Sequence, residues 1–580
     1  MPLLAIILLG AIAGCGTDDG QPADAPEPAD LIISQGRVYT FTWNEPQADG
    51  TPAPDAPRNA AGWHPDAEAV AIRDGRIVFV GSTADAEAFR GDDTTWADVN
   101  GATVLPGLVD SHTHIFNLGA ALSRVDLVGV ATEEEAVARI EAAAEDVPAG
   151  EWIVGQGWDE GAWADDYPDM TLLSERVPDH PVYMRSLHSF AGWGNALAFE
   201  RAGITADTEA PVGGEIHRFD NGAPNGLLLN RAVPLLEDAI PAPDHEELKQ
   251  RARLALQRMA RDGYVTVHDA GLSAEEMAAL EDLERAGELP IRVYAMLSVR
   301  DAALARDWLA RGPDEDADSF LVTRSVKAFY DGALGSRGAR LLADYSDEPG
   351  HRGVSGDQYG FDQTLTAAMM QRGFQVAIHA IGDAGNRETL DFIESVYADD
   401  PSVREHRNRI EHAQVVHPED LPRFAALDVI ASMEPPHAVE DKTWAEQRLG
   451  PERIRGAYAW RSLRESGARL TFNADNPGSD HDIFYGLHAA ITRRDKDREP
   501  PGGWYPDEAL TAEESLRAYT GWSAFAAFRE DHTGILEPGR WADITVMNID
   551  PLTLADDDPG ALLDGSIIMT VVDGRLVYPQ

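Results

Sequence analysis

Residues 104–114 read VLPGLVDSHTH. Val104 and Leu105 carry an apolar strand, Pro106 and Gly107 turn it, and Leu108 and Val109 resume it. His112 and His114 follow with one residue between them. Strand side chains alternate between faces, so both imidazoles project into one space, where they can grip one metal ion. An HxH pair by itself arises by chance in many chains, so the rest of the sequence has to decide.

Other polar residues finish apolar, strand-like runs. SVKAFYDGALGSR carries Lys327 and then Asp331, FQVAIHAIGD carries His379, NRIEHAQ carries His412, and ARLTFNADNP carries Asp475. Singly, each has a plain structural explanation. His379 or His412 could be a satisfied buried histidine, Asp475 a turn residue before Asn476-Pro477, and Lys327 a strand lysine snorkelling to water. Together, four imidazoles, a strand lysine and a late carboxylate form a ligand set for one or two divalent ions, with zinc the expected one. His268 and Asp269 (YVTVHDAG) are read as braces of such a site.

These residues need a scaffold that gathers strand ends. Strand-like runs at 151–155, 181–184, 264–268, 291–297, 322–329, 374–379, 408–412, 428–432 and 469–473 are interspersed with helical stretches such as 246–261, 275–287, 363–372 and 513–528. Strand alternating with helix implies a parallel sheet, and about eight such units suggest a closed (β/α)8 barrel with its chemistry at the strand ends. The chain termini have another texture. Segments 31–39, 67–82 (a hairpin around Asp74-Gly75), 541–548 and 568–578 (a turn at Asp573-Gly574) read as strands that can pair into one small sheet domain. The expected organisation is a β-sandwich from 31–103 and 535–580, and a barrel over 104–534 with an insertion around 155–245. Trp158, Trp163 and Trp193 fall in that insertion, either in loops lining an apolar pocket or in its core.

The formal net charge is −51, from 99 acidic and 48 basic residues. Nucleic acid and anionic lipid surfaces both require a basic face, so neither is an expected partner. Lysine occurs only at positions 249, 327, 442 and 496, which makes a lysine inside an apolar strand notable. The single cysteine, Cys15, excludes an intrachain disulfide. It ends the run MPLLAIILLGAIAGCG, in which Ile12-Ala13-Gly14-Cys15 resembles a bacterial lipobox. That resemblance implies a signal peptide over 1–14, lipid on Cys15, a disordered tether over 15–30 and an exported protein held to a bacterial membrane. The n-region lacks Lys and Arg, and an ordinary signal peptide with a chance cysteine is the alternative.

From about residue 31 onward the chain resembles the amidohydrolase superfamily, within it the YtcJ-like branch that includes N-substituted formamide deformylases. The likeness is carried by VLPGLVDSHTH, GQGWDEGAW (155–163), HPVYMRSLHSFAGWGNALA (180–198), VKAFYDGALGSRGA (326–339), IHAIGDAGN (378–386), RIEHAQ (409–414) and GILEPGRWADITVMNIDP (534–551). It implies a (β/α)8 TIM barrel beside a small β-sandwich. It also implies metal ligands at His112, His114, Lys327, His379, His412 and Asp475, with Lys327 N-carboxylated. Only an uncharged amine can add carbon dioxide, which arginine cannot supply. Asp475 is the implied proton carrier. His188, from SLHSFAGWGN, is either a holder of the substrate carbonyl or developing oxyanion, or a loop histidine bonded to backbone.

Two departures stand out: Asn473-Ala474-Asp475 replaces the usual Gly-Ser-Asp, and Glu434 follows Met433 where glutamine is common. Glu434 either alters substrate preference or is a solvated carboxylate. The expected activity is metal-dependent hydrolysis of carbon–nitrogen bonds other than peptide bonds in a small-molecule substrate. An esterase or lactonase with the same centre, and a non-catalytic ligand-binding lipoprotein, are the alternatives. A homodimer is left open.

Overall fold

The computed structural model describes residues 26–145, 147–159, 167–187, 190–316 and 318–579. Cys15, Trp163 and His188 lie outside the described residues.

Eight parallel strands form a sheet nearly closed into a barrel: Leu108–Thr113, Tyr264–Leu272, Arg292–Ser298, Leu321–Phe329, Gln375–Ala380, Arg409–His412, Ile430–Met433 and Arg469–Phe472. The last approaches the first through a parallel bridge between Thr113 and Asn476 and a hydrogen bond from Ser111 Oγ to Phe472 O at 3.0 Å. Helices pack outside. The helix His245–Arg261 is typical: Asp244 caps it by accepting from Glu247 N, and Leu248, Ala252, Ala255, Leu256 and Met259 fall on its buried face. Each fully buried Leu or Met there contributes about 1.5–3 kcal/mol.

The chain ends build two further sheets. Arg76–Gly81, Ala69–Arg73, Leu31–Ser34 and Thr95–Asp98 form one; Arg37–Val38, Thr103–Pro106, Ile544–Met547, Ile567–Val572 and Arg575–Tyr578 form the other. Ile33, Val70, Ile72, Val104, Ile544, Val546 and Val571 share one buried cluster between them. The two expected hairpin turns form, with positive φ at Asp74 and Gly75 (50° and 73°) and at Asp573 and Gly574 (52° and 72°). Two consecutive positive φ values match the twist of a two-residue hairpin. Val104 and Leu105 differ from expectation: they pair with Val546 and Thr545 in the sandwich, and the barrel strand starts only at Leu108. Gly107 makes the passage between sheets, and a Cβ on it would lie 2.4 Å from Val265 Cγ2.

The runs at 151–155 and 181–184 are not barrel strands. They belong to an inserted six-stranded sheet, in the order Val125–Asp126, Ile153–Trp158, Val182–Ser186, Ala191–Gly194, Pro224–Asn230 and Gly214–Arg218. This sheet begins at Val125, well ahead of residue 155. Apolar strand runs look alike in any buried sheet, and periodicity alone does not say which sheet they join. Trp158 and Trp193 lie in strands and are fully buried, with rings 6.3 Å apart and edge to face. Their Nε1 atoms donate to Met184 O and Asp169 O. These two tryptophans are core of the inserted unit, not a pocket lining. Among the described residues no helix is long and apolar enough to cross a membrane.

Candidate metal centre

The ends of barrel strands one, four, five, six and eight converge on one cavity of about 430 Å3, lined by His112, His114, Lys327, His379, His412 and Asp475 among others. His114 Nε2 lies 3.1 Å from Asp475 Oδ1 and His112 Nε2 lies 3.6 Å from it. Lys327 Nζ stands 3.0 Å from His112 Nε2. The His412 ring centroid is 5.1 Å from that of His112 and 4.5 Å from that of His379. One grouping of donor atoms unites His112, His114 and Asp475, mutually within 4.8 Å. His379 and His412 stand beside this trio rather than in it, and His379 Nε2 is buried without a hydrogen-bond partner. That nitrogen lies 3.7 Å from Asp331 Oδ1, and a buried imidazole nitrogen left unmet by protein hydrogen bonds, among other imidazoles and a carboxylate, is a donor set that fits a divalent metal.

Local backbone supports this convergence. His412, Ala413 and Asp475 have φ of 72°, 42° and 49°. Such left-handed non-glycine residues cost on the order of 1–3 kcal/mol each and collect at functional sites. At His412 the turn breaks strand alternation, so that Glu411 and His412, adjacent in sequence, both border His112.

Beneath the cavity lies a buried polar chain that sequence reading missed. His112 Nδ1 meets Glu411 Oε2 at 2.5 Å. Arg409 donates to both Glu411 oxygens at 2.7 and 2.9 Å and to Ser111 O at 2.7 Å, and its Nη1 reaches His268 Nδ1 at 3.1 Å. Glu411, an ionised acceptor, keeps the proton on His112 Nδ1 and leaves the Nε2 lone pair toward the cavity. The signal lies in RIEHAQ, where an Arg-x-Glu pair sits in a buried strand. His268 and Asp269 act as braces, Asp269 accepting from Ile115 N at 3.2 Å. Asp331 braces too, accepting from the backbone of Ile381, Gly382 and Arg340. Glu434 is not a solvated carboxylate. It is buried, with Oε2 3.2 Å from His412 Nδ1 and 3.5 Å from Nδ1 of His437, another residue the sequence reading passed over.

Burial sets the protonation pattern. It pushes His112 down to about 4, aided by the nearby Lys327 charge, and holds His379 well below the usual imidazole range. It brings Lys327 down to about 8, against the opposing pull of Glu411 and Asp475. Burial alone would raise Asp475, but the hydrogen bond from His114 and the nearby His112 and His412 override it and keep the carboxyl well below its ordinary value. Neutral His112 and His379 beside an ionised Asp475 are the protonation states that cation binding requires.

Residues 96–578 match the model of the Amidohydrolase family. The chain is 31% identical to Protein LONG AFTER FAR-RED 3 of Arabidopsis thaliana, covering 95% of this chain and 92% of that one. It is 30% identical to Putative amidohydrolase YtcJ of Bacillus subtilis (88% and 96% covered). It is 28% identical to an N-substituted formamide deformylase of Arthrobacter pascens (89% and 95%). Among solved structures, an uncharacterized metal-dependent hydrolase from Pyrococcus furiosus superposes with a TM-score of 0.69 at 26% identity, covering 90% of this chain and 99% of that one. With a family match across most of its length and a barrel that gathers histidines and a carboxylate at one mouth, the chain belongs to the amidohydrolase family, as a metal-dependent hydrolase.

Proposed function

We propose that the protein hydrolyses carbon–nitrogen bonds other than peptide bonds in small amide, N-acyl or formamide-type substrates. His112, His114, His379, His412, Asp475 and an N-carboxylated Lys327 would hold one or two divalent ions, zinc in the first instance. The carrying observation is that residues from five strand ends share one cavity, with His112 and His379 held neutral and Asp475 ionised. The relative named for N-substituted formamides supports the carbon–nitrogen reading.

When bound, such an ion supplies an acidified water and polarises the substrate carbonyl. The protein's own groups do the rest. Asp475 Oδ1, 3.1 Å from His114 Nε2, takes the water proton and returns it to the departing nitrogen, so that amide and water become acid and amine. His112 is kept in one tautomer by Glu411. Lys327, buried and easily neutralised, adds carbon dioxide at Nζ and releases a proton to solvent, gaining a carboxylate arm. His188 is proposed to hold the substrate carbonyl or the developing oxyanion. The lipobox-like Cys15 supports export and attachment to a bacterial membrane through lipid.

The test is a panel of formamides, N-acyl amines and esters, assayed with chelated and zinc-restored enzyme. Amide turnover should vanish on chelation and return with zinc, and Asp475→Asn should lose about 10²–10⁴-fold in kcat. Turnover surviving verified metal removal defeats the mechanism, and ester turnover without amide turnover defeats the substrate class.

A further inference from the structure

Glu434 ends barrel strand seven, and His437 lies three residues on, one turn along the helix Pro435–Asp441. His412 comes to the same carboxylate from strand six. The Glu434 and His412 side chains are 3% and 4% exposed, and that of His437 is 20% exposed and borders the cavity. Among the described residues, both ionic contacts of Glu434 are with these two histidines, and no lysine or arginine neutralises it directly. The two rings are nearly parallel, 19° apart, with centroids separated by 6.3 Å.

Hydrogen bonding satisfies the Glu434–His437 contact but not the rest of this trio. His412 Nδ1 is only 3.2 Å from Glu434 Oε2, yet it has no aligned hydrogen-bond partner, and Glu434 Oε1 has none either. Both atoms are buried, where an unmet polar group costs about 1–3 kcal/mol. Nitrogen and oxygen atoms that are close but misaimed along their connecting line suit ligands aimed at a common third point. Ligands about 2.0–2.1 Å from a tetrahedral zinc stand roughly 3.3–3.4 Å from each other. The Glu434 Oε2 distances of 3.2 and 3.5 Å to the two Nδ1 atoms bracket that edge, and each of the three residues offers a donor atom within 4.8 Å of the others'.

We propose that His412, Glu434 and His437 form a separate divalent-cation site in the cavity wall, next to the His112–His114–Asp475 group. Two imidazoles and a carboxylate favour zinc, with the cavity side left for water. His412 lies between the two groups, so a cation here takes Nδ1 and leaves Nε2 for its neighbour. If both ring nitrogens bind cations, the ring proton leaves to solvent. The site rests on these three side chains and is independent of which bond the enzyme hydrolyses.

Zinc is the probe. The full-length chain is stripped with chelator, dialysed against zinc and crystallised, and anomalous difference maps are compared on either side of the zinc edge. A peak is expected about 2.0–2.1 Å from the Nδ1 atoms of His412 and His437 and from a Glu434 oxygen. In solution, His437→Asn and the near-isosteric Glu434→Gln should each bind one zinc fewer per chain than the parent, while His114→Asn should keep this ion. A peak at His112, His114 and Asp475 with none at Glu434 overturns this site alone, as does unchanged zinc content in both variants. Zinc at neither position overturns both this site and the metal reading of the hydrolytic centre.

Discussion

His112 shows how much of this site is decided one shell away from the cavity. Its Nε2 is available because Glu411 holds Nδ1, and Glu411 stays charged because Arg409 grips both its oxygens. Burial alone would raise the Glu411 carboxyl, but Arg409 and His112 override this and hold it well below its usual value. Glu411→Gln keeps the shape and removes the charge. It should weaken zinc binding by about 10–100-fold, the usual loss when a ligand's carboxylate partner is removed. It should also destabilise the fold by roughly 3 kcal/mol, because Arg409 is left as an uncompensated buried charge. Equilibrium dialysis and chemical denaturation measure the two effects, and a variant with parental zinc affinity removes Glu411 from the site. Sequence reading found His112, His114, Lys327, His379, His412 and Asp475 because each ends an apolar run. It missed Glu411 and His437, whose relevance depends on partners far away in sequence.

At the scale of elements, strand ends that carry polar residues were legible, but the sheet to which a strand belongs was not. Val104–Leu105 and Leu108–Val109 read as one interrupted strand, yet the chain changes sheets at Gly107. The passage requires backbone to lie against Val265 of strand two, whose branched side chain is fully buried and cannot move aside easily. Gly107→Ala should therefore cost about 1–3 kcal/mol, as overpacked sites do. Val265→Ala in the same chain should recover part of that loss. Denaturation midpoints of the single and double variants check this, and additive losses would falsify the contact. The inserted sheet makes the same point: strands 153–158 and 182–186 are mostly buried, as barrel strands are, and only pairing shows that they stand apart from the barrel.

Across the whole molecule, sandwich and barrel are locked by a buried ion pair. Arg292 on strand three meets Asp543 at 2.9 Å and stacks on Trp541 at 3.8 Å. Around this core the chain carries a net charge of −51, which repels itself in the compact state. Raising sodium chloride from about 0.05 to 0.5 M should screen that repulsion and lift the melting temperature by several degrees. A flat or falling profile shows that the charge is already balanced locally. Attachment to the membrane is proposed from Cys15 alone, and Cys15→Ala should move the protein from the membrane to the soluble fraction. Continued lipid labelling of that variant refutes the anchor.

The sequence by itself determined the barrel class, the sandwich from the two chain ends and six of the residues at the cavity, because strand periodicity and turn chemistry are local properties. Tertiary structure decided which strands share a sheet, that Glu411 fixes His112, and that Glu434 is buried between His412 and His437. Those facts depend on contacts between residues such as 112 and 411, which meet only when the barrel curls round on itself.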